Sequence, residues 1–201
     1  MIRAIAGAMI AAISAVAIAQ APANPPVRIR GTVEKMDGPV VTIKAGNGQS
    51  MSVRMADNYT VMGIAKASIA DVASGKYIGT TTVGERNGAL VALEIHIFLD
   101  SMRGTAEGHF DWDLRPQSKM TNANVANVVE MGKERVLTVQ YKGGEKKVVV
   151  PESAVVVAFT PAERGELKPG ASVFLISQRQ PDGSLTAARV NVGLNGQVPP
   201  M

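Results

Sequence analysis

The sequence predicts an all-β protein made of two tandem small antiparallel barrels that are OB-like, with a β-sandwich as the alternative architecture. Residues 28–97 and 125–192 repeat the same order of apolar runs and turns, which indicates an internal duplication. In both copies, pairs such as Asn87-Gly88 separate short apolar runs, and they favour tight hairpins because both residues tolerate a positive φ. Several short strands separated in this way are typical of barrels and sandwiches.

The two copies agree in spacing more than in residue identity. Each copy closes with a hairpin, at Asn87-Gly88 in the first and at Asp182-Gly183 in the second. Met36 and Met131 correspond in this alignment, which predicts that both methionines pack in a core. A copy of about 70 residues is long enough for one small core, so we expect one barrel from each copy.

Alternating apolar residues predict six strands in each copy, with a short helical turn between the fourth and fifth strands. In the first copy, the predicted strands are 28–36, 39–45, 49–55, 59–63, 76–84 and 89–97, and the helical turn is 67–73. In the second copy, they are 124–131, 135–141, 145–150, 154–159, 171–179 and 184–192, and the helical turn is 161–167. Pro161 suits the first turn of a helix, because proline has no N–H to leave unpaired there. A C-terminal tail, 193–201, follows the second copy.

Residues 1–19 have the composition of a secretory signal peptide. Arg3 precedes an apolar run that ends on Ala17-Ile18-Ala19, a small-x-small cleavage site. Cleavage after Ala19 is predicted, with Ala21 and Ala23 as alternatives, and 20–27 then forms a flexible leader. The run is shorter than the roughly 20 residues that span a bilayer, which favours cleavage over a permanent anchor. No later stretch could span a membrane, so the sequence excludes a polytopic permease and predicts a periplasmic protein.

Composition excludes several kinds of functional site and partner. The chain has 201 residues, two histidines and no cysteine, which excludes disulfides, iron–sulfur clusters, zinc-thiolate sites and a cysteine nucleophile. The net charge of +4 is shared between the copies and forms no basic tract. Aromatic residues are 4% of the chain and are scattered, whereas nucleic-acid binding requires aromatic rings beside a basic groove. Nucleic acid is therefore not an expected partner.

The connector, residues 98–124, is the one segment that the duplication does not explain. It holds the only tryptophan, Trp112, with Phe110 and Asp113 beside it. A connection this long without clear secondary structure is more often functional than passive. We expect an ordered strap between the barrels, in which Phe98 and Phe110 seat Trp112 and the indole N–H donates to a backbone carbonyl. Trp112, Phe110 and Asp113 are therefore candidate interaction residues.

A transition-metal site is an alternative function for the same region. On the strand 89–97, Glu94 and His96 share one face, because side chains alternate along a strand. The opposite face, which we expect to be buried, carries Val91, Leu93, Ile95 and Ile97. His109 and Asp111 could fold back to complete the site, and imidazole with carboxylate suits zinc, copper or nickel.

A structural interpretation of the two histidines competes with the metal site. His96 is then an outward-facing strand residue, and His109 is a loop residue with a local hydrogen bond. The second copy has Arg189 and Asn191 where the first has Glu94 and His96, so a metal site would belong to the first copy alone.

An enzyme is the least supported class of function. The chain contains no Gly-x-Ser-x-Gly, Walker, Gly-x-Gly-x-x-Gly or His-Glu-x-x-His motif. Asp111 and Asp113 could in principle serve a glycosidase, but two carboxylates this close in a loop are usually solvated. No catalytic residue and no cofactor other than the alternative metal ion is predicted.

Residues 28–201 resemble a group of exported, uncharacterised proteins of Gram-negative bacteria, mostly alphaproteobacteria. The matching segments are Gly31–Glu34, Ser68–Val72, Ala92–Phe98, Met102–His109, Trp112–Leu114, Met120–Ala123 and Arg179–Gly183. The resemblance implies tandem OB-like repeats and an exported location, and it supplies no catalytic residue. Some of these proteins carry a metal-transport label.

These observations together predict a non-catalytic periplasmic binding or interaction module. Its expected partner is an unidentified envelope protein or a small ligand, with no nucleic acid and no membrane span after signal cleavage. The alternative is a periplasmic metal-binding protein that uses His96 and His109. A metal binder should purify with stoichiometric metal, whereas an interaction module should purify with its partner.

Overall fold

A computed structural model describes residues 25–201, so the predicted signal peptide lies outside the described residues. The described chain contains 12 strands and three 3₁₀ helices, Ile69–Asp71, Asp100–Met102 and Arg164–Glu166. The first six strands are β1 (Val27–Asp37), β2 (Val40–Ala45), β3 (Ser50–Lys66), β4 (Tyr77–Arg86), β5 (Ala89–Ile97) and β6 (Gly108–Asp111). The others are β7 (Lys119–Met131), β8 (Glu134–Tyr141), β9 (Gly144–Val150), β10 (Val155–Pro161), β11 (Ser172–Arg179) and β12 (Leu185–Gly193).

The strands close into two barrels, which confirms the predicted all-β, OB-like class over the alternative β-sandwich. Barrel 1 runs β12-β11-β1-β2-β3 and closes where β3 pairs in parallel with β12. Barrel 2 runs β5-β4-β7-β8-β9 and closes where β5 pairs in parallel with β9. Closure leaves no free sheet edge within either ring.

The barrels exchange strands between the two copies of the duplication. Barrel 1 takes β1–β3 from the first copy and the hairpin β11–β12 from the second. Barrel 2 takes the hairpin β4–β5 from the first copy and β7–β9 from the second. The repeat boundaries therefore do not coincide with the barrel boundaries, and neither copy forms a barrel by itself.

An antiparallel pair of strands, β3 and β10, joins the barrels. Met62 pairs with Pro161, and Val157, the counterpart of Met62 in the second copy, pairs with Lys66. The register is thus symmetric, and the joint lies on a pseudo-two-fold axis that relates the copies. The long β3 reaches this joint after it has completed barrel 1.

Local signals in the sequence predicted the positions of most elements correctly, but two predicted strands form a single strand in the structure. The predicted helical turns contain the 3₁₀ helices at Ile69–Asp71 and Arg164–Glu166. Asn87 and Gly88 have φ of 52° and 75°, as a type I′ hairpin requires. The predicted strands 49–55 and 59–63 are instead one strand, β3, and Arg164 donates to the carbonyls of Asp57 and Tyr59 in the segment between them.

Apolar side chains form three clusters, one inside each barrel and one between them. The cluster between the barrels includes Tyr77, Phe98, Phe159 and Phe174. Met36 packs against the core of barrel 1, as predicted, but Met131 is 61% exposed. The prediction for Met131 was wrong because the copies do not keep a constant spacing here. Val33 bonds with Gly170 and Ala171, and the residue that bonds in the same way with Gly75 and Lys76 is Val125. Met131 consequently lies at the end of β7, beside the turn, and not at the position of Met36.

Candidate functional site

A cavity of about 330 Å³ lies between the outer faces of the two barrels. Its size is at the lower end of the range for cavities that hold small molecules. Its apolar lining consists of Phe98, Met102, Ala106, Phe110, Trp112, Met120, Phe159, Phe174, Leu175, Ile176 and Met201. Its polar lining consists of Arg28, His96, Thr105, Asn122, Arg189 and Asn191.

The two walls of the cavity come from corresponding strands of the two barrels. In barrel 2, His96 of β5, Gly79 of β4 and Asn122 of β7 are direct neighbours in the strand register. In barrel 1, Asn191 of β12 and Phe174 of β11 take the positions of His96 and Gly79. The cavity therefore lies near the pseudo-two-fold axis, but its two walls differ chemically.

Gly79 allows two polar side chains to approach one another over the backbone of β4. A Cβ at this position would lie 2.0 Å from Nε2 of His96 and 2.5 Å from Oδ1 of Asn122. Any side chain at residue 79 would push both groups away, since contacts below 3.0 Å do not occur at real Cβ atoms. The absence of a side chain keeps this wall polar, whereas the ring of Phe174 makes the opposite wall apolar.

Glu94 is a buried carboxylate that contacts Nδ1 of His96 and so orients the imidazole ring. Oε1 of Glu94 accepts hydrogen bonds from the backbone N–H and the hydroxyl of Thr81, at 2.9 and 2.6 Å. Oε2 lies 3.1 Å from Nδ1 of His96, and Glu94 is only 1% exposed. A carboxylate at Nδ1 keeps a hydrogen on that nitrogen, which leaves Nε2 as the atom directed towards Asn122.

The prediction that Glu94 and His96 share one face of β5 was correct. The predicted set of buried apolar residues on the opposite face was correct only in part. His96 faces out from its own barrel and is nevertheless only 4% exposed, because barrel 1 covers it. Ala92, Ile95 and Ile97 belong to the core of barrel 2, whereas Val91 and Leu93 do not. The pairing of β4 with β5 shifts register beside Glu94, and this irregularity reverses the alternation of side chains along β5.

Trp112 borders the cavity and contacts both the connector and barrel 1. Its ring meets Phe110 and Phe174 edge to face, at 6.0 and 6.2 Å between centroids, and the Arg28 guanidinium lies 4.1 Å over it. The expected seat on Phe110 is thus confirmed, while Phe98 stacks on Phe159 instead. The expected bond from the indole N–H to a backbone carbonyl is wrong, because the ring faces the cavity, where no carbonyl reaches it.

The connector touches both barrels. Its strand β6 pairs with β7 of barrel 2. On the other side, Asp113 accepts a hydrogen bond of 2.7 Å from Arg30 of barrel 1, whose Nε also donates to the backbone oxygen of Met201. The connector and the C-terminal tail thereby close one side of the cavity.

Buried polar atoms without a hydrogen-bond partner concentrate around this cavity. Among the described residues there are five such side-chain atoms, and four belong to cavity-lining residues. Two are donors, Nε of Arg28 and Nε1 of Trp112, and two are acceptors, Oδ1 of Asn122 and Oδ1 of Asn191. An unpaired buried polar group costs about 1–3 kcal/mol, so four around one cavity indicate a place where a polar ligand fits.

The remaining candidate metal ligands lie elsewhere. Nδ1 of His109 is 2.8 Å from the hydroxyl of Thr121, and the ring stacks on Tyr141. Burial, aided by the charges of Lys146 and Lys119, holds the pKa of His109 below its usual value of 6.5. Asp111 pairs with Lys119, whose hydrogen bond lowers the pKa of that carboxyl.

The structure thus separates the four predicted metal ligands into two places. Glu94 and His96 are together beside the cavity, while His109 and Asp111 lie on β6, three strands away from β5. Within residues 25–201, no three His, Cys, Asp or Glu side chains are grouped closely enough to hold a metal ion. Binding of zinc, copper or nickel by these residues stays a prediction.

Comparisons with protein-family models, with curated proteins and with solved structures find no match to this chain. The resemblance to exported proteins therefore stays a prediction. In the part of the chain that the structure describes, no helix is long and apolar enough to cross a membrane.

Several lining residues were not identified from the sequence, chiefly Arg28, Asn122, Phe159 and Phe174. They lie far apart in the chain and meet only because the barrels pack face to face. One usable signal was the pair Arg189 and Asn191, which repeats on β12 the polar positions of Glu94 and His96.

Proposed function

We propose that this protein is a non-catalytic periplasmic binding module that holds a small ligand in the cavity between its barrels. The concentration of unpaired buried polar atoms around one aromatic cavity carries this proposal. Apolar walls with a few convergent polar groups are typical of small-molecule sites. Export, which this proposal includes, rests on the sequence of residues 1–19.

A catalytic role has less support in the same geometry. The pair of Glu94 and His96 positions an imidazole nitrogen towards the cavity, but no serine lines the cavity beside it. Thr105 is the one hydroxyl in the lining, and it belongs to the connector loop. The imidazole is therefore better suited to hydrogen-bond a ligand than to activate a nucleophile.

The cavity can be tested with N-phenyl-1-naphthylamine, a neutral dye whose fluorescence rises in apolar surroundings. We expect saturable binding at one site per chain, with quenching of Trp112, the only tryptophan. Isothermal titration calorimetry measures the stoichiometry independently of fluorescence. Absence of saturable binding, or several equal sites per chain, would overturn the proposal.

A matched pair of variants locates the dye. Ile176 is 45% exposed and borders the cavity, so an indole in Ile176→Trp covers the opening. Val129 is 48% exposed and lies outside the cavity, so Val129→Trp adds the same group elsewhere. Calorimetry should show weaker dye binding only in Ile176→Trp, and equal affinities for the two variants would place the dye outside the cavity.

Export has its own test, which is independent of the ligand. Osmotic shock of cells that express the full chain should release a protein whose N-terminus begins after Ala19, Ala21 or Ala23. Retention of the uncleaved chain in the cytoplasm would overturn the periplasmic part of the proposal.

A further inference from the structure

We infer that the ligand of this cavity is an aromatic carboxylic acid whose carboxylate binds beside Arg28 and Arg189. This inference rests on the proposed binding function and specifies the chemical class of the ligand. It depends on three features of the cavity: the sign of its charge, the position of its free donors and the character of its walls.

The charged side chains of the lining both belong to arginines, and no aspartate or glutamate side chain lines the cavity. The main-chain oxygen of Met201, another lining residue, accepts a hydrogen bond of 2.7 Å from Nε of Arg30. Arg28 pairs in the strand register with Ile176 of β11, and Arg189 lies two residues before Asn191 on β12. Because β1 and β12 are the two neighbours of β11, Arg28 and Arg189 come from the strands on either side of the one that carries Ile176, and all three residues line the cavity. An anion above Ile176 would lie between them.

The nearby carboxylate leaves this positive charge largely available. Asp113 makes its short contact, 2.7 Å, with Arg30, and its distance to Arg28 is 3.8 Å. Arg189 takes part in none of the ion pairs among the described residues. A ligand carboxylate would therefore give Arg189 an ion-pair partner and would give Arg28 a closer one than Asp113.

Two unpaired donors define where an acceptor of the ligand fits. Nε of Arg28 and Nε1 of Trp112 are buried without partners, and the guanidinium lies 4.1 Å over the indole ring. Hydrogen bonds to a charged acceptor are stronger than those to a neutral one, so a carboxylate fits this corner better than an amide. An arginine already stacked on a ring is also oriented for such a contact.

The aromatic side chains of the lining suit a ligand that itself contains aromatic rings. Phe98 and Phe159 are stacked 5.1 Å apart, and Phe110, Trp112 and Phe174 form a second group with edge-to-face contacts. Aromatic rings bind other rings in these arrangements with a gain beyond the area they bury. A planar acid therefore fits the cavity better than a flexible aliphatic acid.

Calorimetric titrations with three probes separate the contribution of the ligand's charge from that of its aromatic rings. 2-Naphthoate carries the charge and the rings, 2-naphthamide has nearly the same shape without the charge, and octanoate has the charge on an aliphatic chain. We expect 2-naphthoate to bind about tenfold more tightly than the amide, which corresponds to one charge-assisted hydrogen bond. Octanoate should bind more weakly than 2-naphthoate.

Charge-removing variants assign the effect to the cavity. Arg189→Gln should weaken binding of the acid more than binding of the amide, so that the preference for the acid falls by roughly threefold to tenfold. Arg54→Gln removes the same charge from an exposed position of β3 outside the cavity, and it should keep the full preference. An equal loss in both variants would assign the preference to the overall charge of the protein and overturn the inference.

Failure of the inference and failure of the proposed function give different results. If the neutral dye and the amide bind at one site but the acid binds no more tightly, the cavity binds ligands and the carboxylate assignment is wrong. If octanoate binds more tightly than 2-naphthoate, the aromatic assignment is wrong. If no probe binds saturably, the proposed function fails, and the inference fails with it.

Discussion

Replacing Glu94 with leucine should destabilise the folded protein by about 2–4 kcal/mol. The carboxylate is 1% exposed and serves three donors: the backbone N–H of Thr81, the Thr81 hydroxyl and Nδ1 of His96. Leucine has a similar volume and no acceptor, so it fills the space and leaves these donors unpaired. The hydroxyl can rotate and the imidazole can move its proton to Nε2, but the backbone N–H has no alternative.

The magnitude follows from counting those donors. Each buried unpaired donor costs about 1–3 kcal/mol. Because the hydroxyl and the imidazole can each reduce their cost, the total for the three donors is about 2–4 kcal/mol. For a chain of this size, that loss corresponds to a melting temperature lower by roughly 5–15 °C. Urea unfolding followed by circular dichroism measures the free energy directly, and an unchanged m-value would show that the unfolded state is the same.

Two further variants are needed to interpret the result for Glu94: a conservative replacement at the same position and a control at an exposed position. Glu94→Gln keeps one oxygen acceptor and should lose less stability than the leucine variant. Glu85→Leu removes an exposed carboxylate from β4 and should change the free energy of unfolding by at most about 0.5 kcal/mol. A leucine variant at position 94 that is as stable as the original protein would refute the reasoning, because burial of the charge would then cost more than its hydrogen bonds return.

Three other predictions follow from single contacts. Gly79→Ala places a Cβ 2.0 Å from Nε2 of His96 and should weaken dye binding by roughly tenfold or more, whereas Gly46→Ala, with nothing within 4 Å, should leave it unchanged. The pKa of His109 lies below its usual 6.5, so its contribution to stability is complete above that pH and is lost as the pH falls below it. The NMR signals of His109 should therefore titrate below pH 6.5, and His109→Gln should flatten the dependence of stability on pH in this range. Burial, with the negative charge of Glu107, raises the pKa of Tyr77 to about 12, so absorbance at 295 nm should show a tyrosine that ionises near pH 12, and folded stability should fall as the pH rises above 10.

Local features of the sequence were sufficient to predict most strands of the two copies, their hairpins and two of the three helical turns. The 3₁₀ helix Asp100–Met102, the strand β6 and the first residues of β7 were not predicted, since they lie in the connector, which the sequence pattern left without clear secondary structure. A type I′ turn at Asn87-Gly88 depends on the residues within it, so the pattern predicts it reliably. The exchange of hairpins depends on which distant strands pair, and both arrangements give the same local pattern. The repeat pattern therefore indicates the duplication and predicts one barrel from each copy, whereas the hairpins β4–β5 and β11–β12 each complete the barrel of the other copy.

The candidate site was only partly predictable for the same reason. Glu94 and His96 are two residues apart on one strand, so their shared face could be deduced. His109 is 13 residues from His96 in the chain, but β4 and β7 lie between its strand and that of His96. Trp112 was recognised as unusual, while its neighbours Arg28 and Phe174 became visible only when the barrels were packed together.

The exchange of hairpins gives one polypeptide the arrangement of a two-fold homodimer with swapped segments. In a true homodimer, any substitution near the axis appears twice, so both sides of an axial site must change together. A fused chain is free of that constraint, and here Asn191 takes the place of His96 and Phe174 takes that of Gly79. An axial cavity in such a chain can distinguish the two ends of a ligand and hold it in a single orientation, which no strictly symmetric dimer can do.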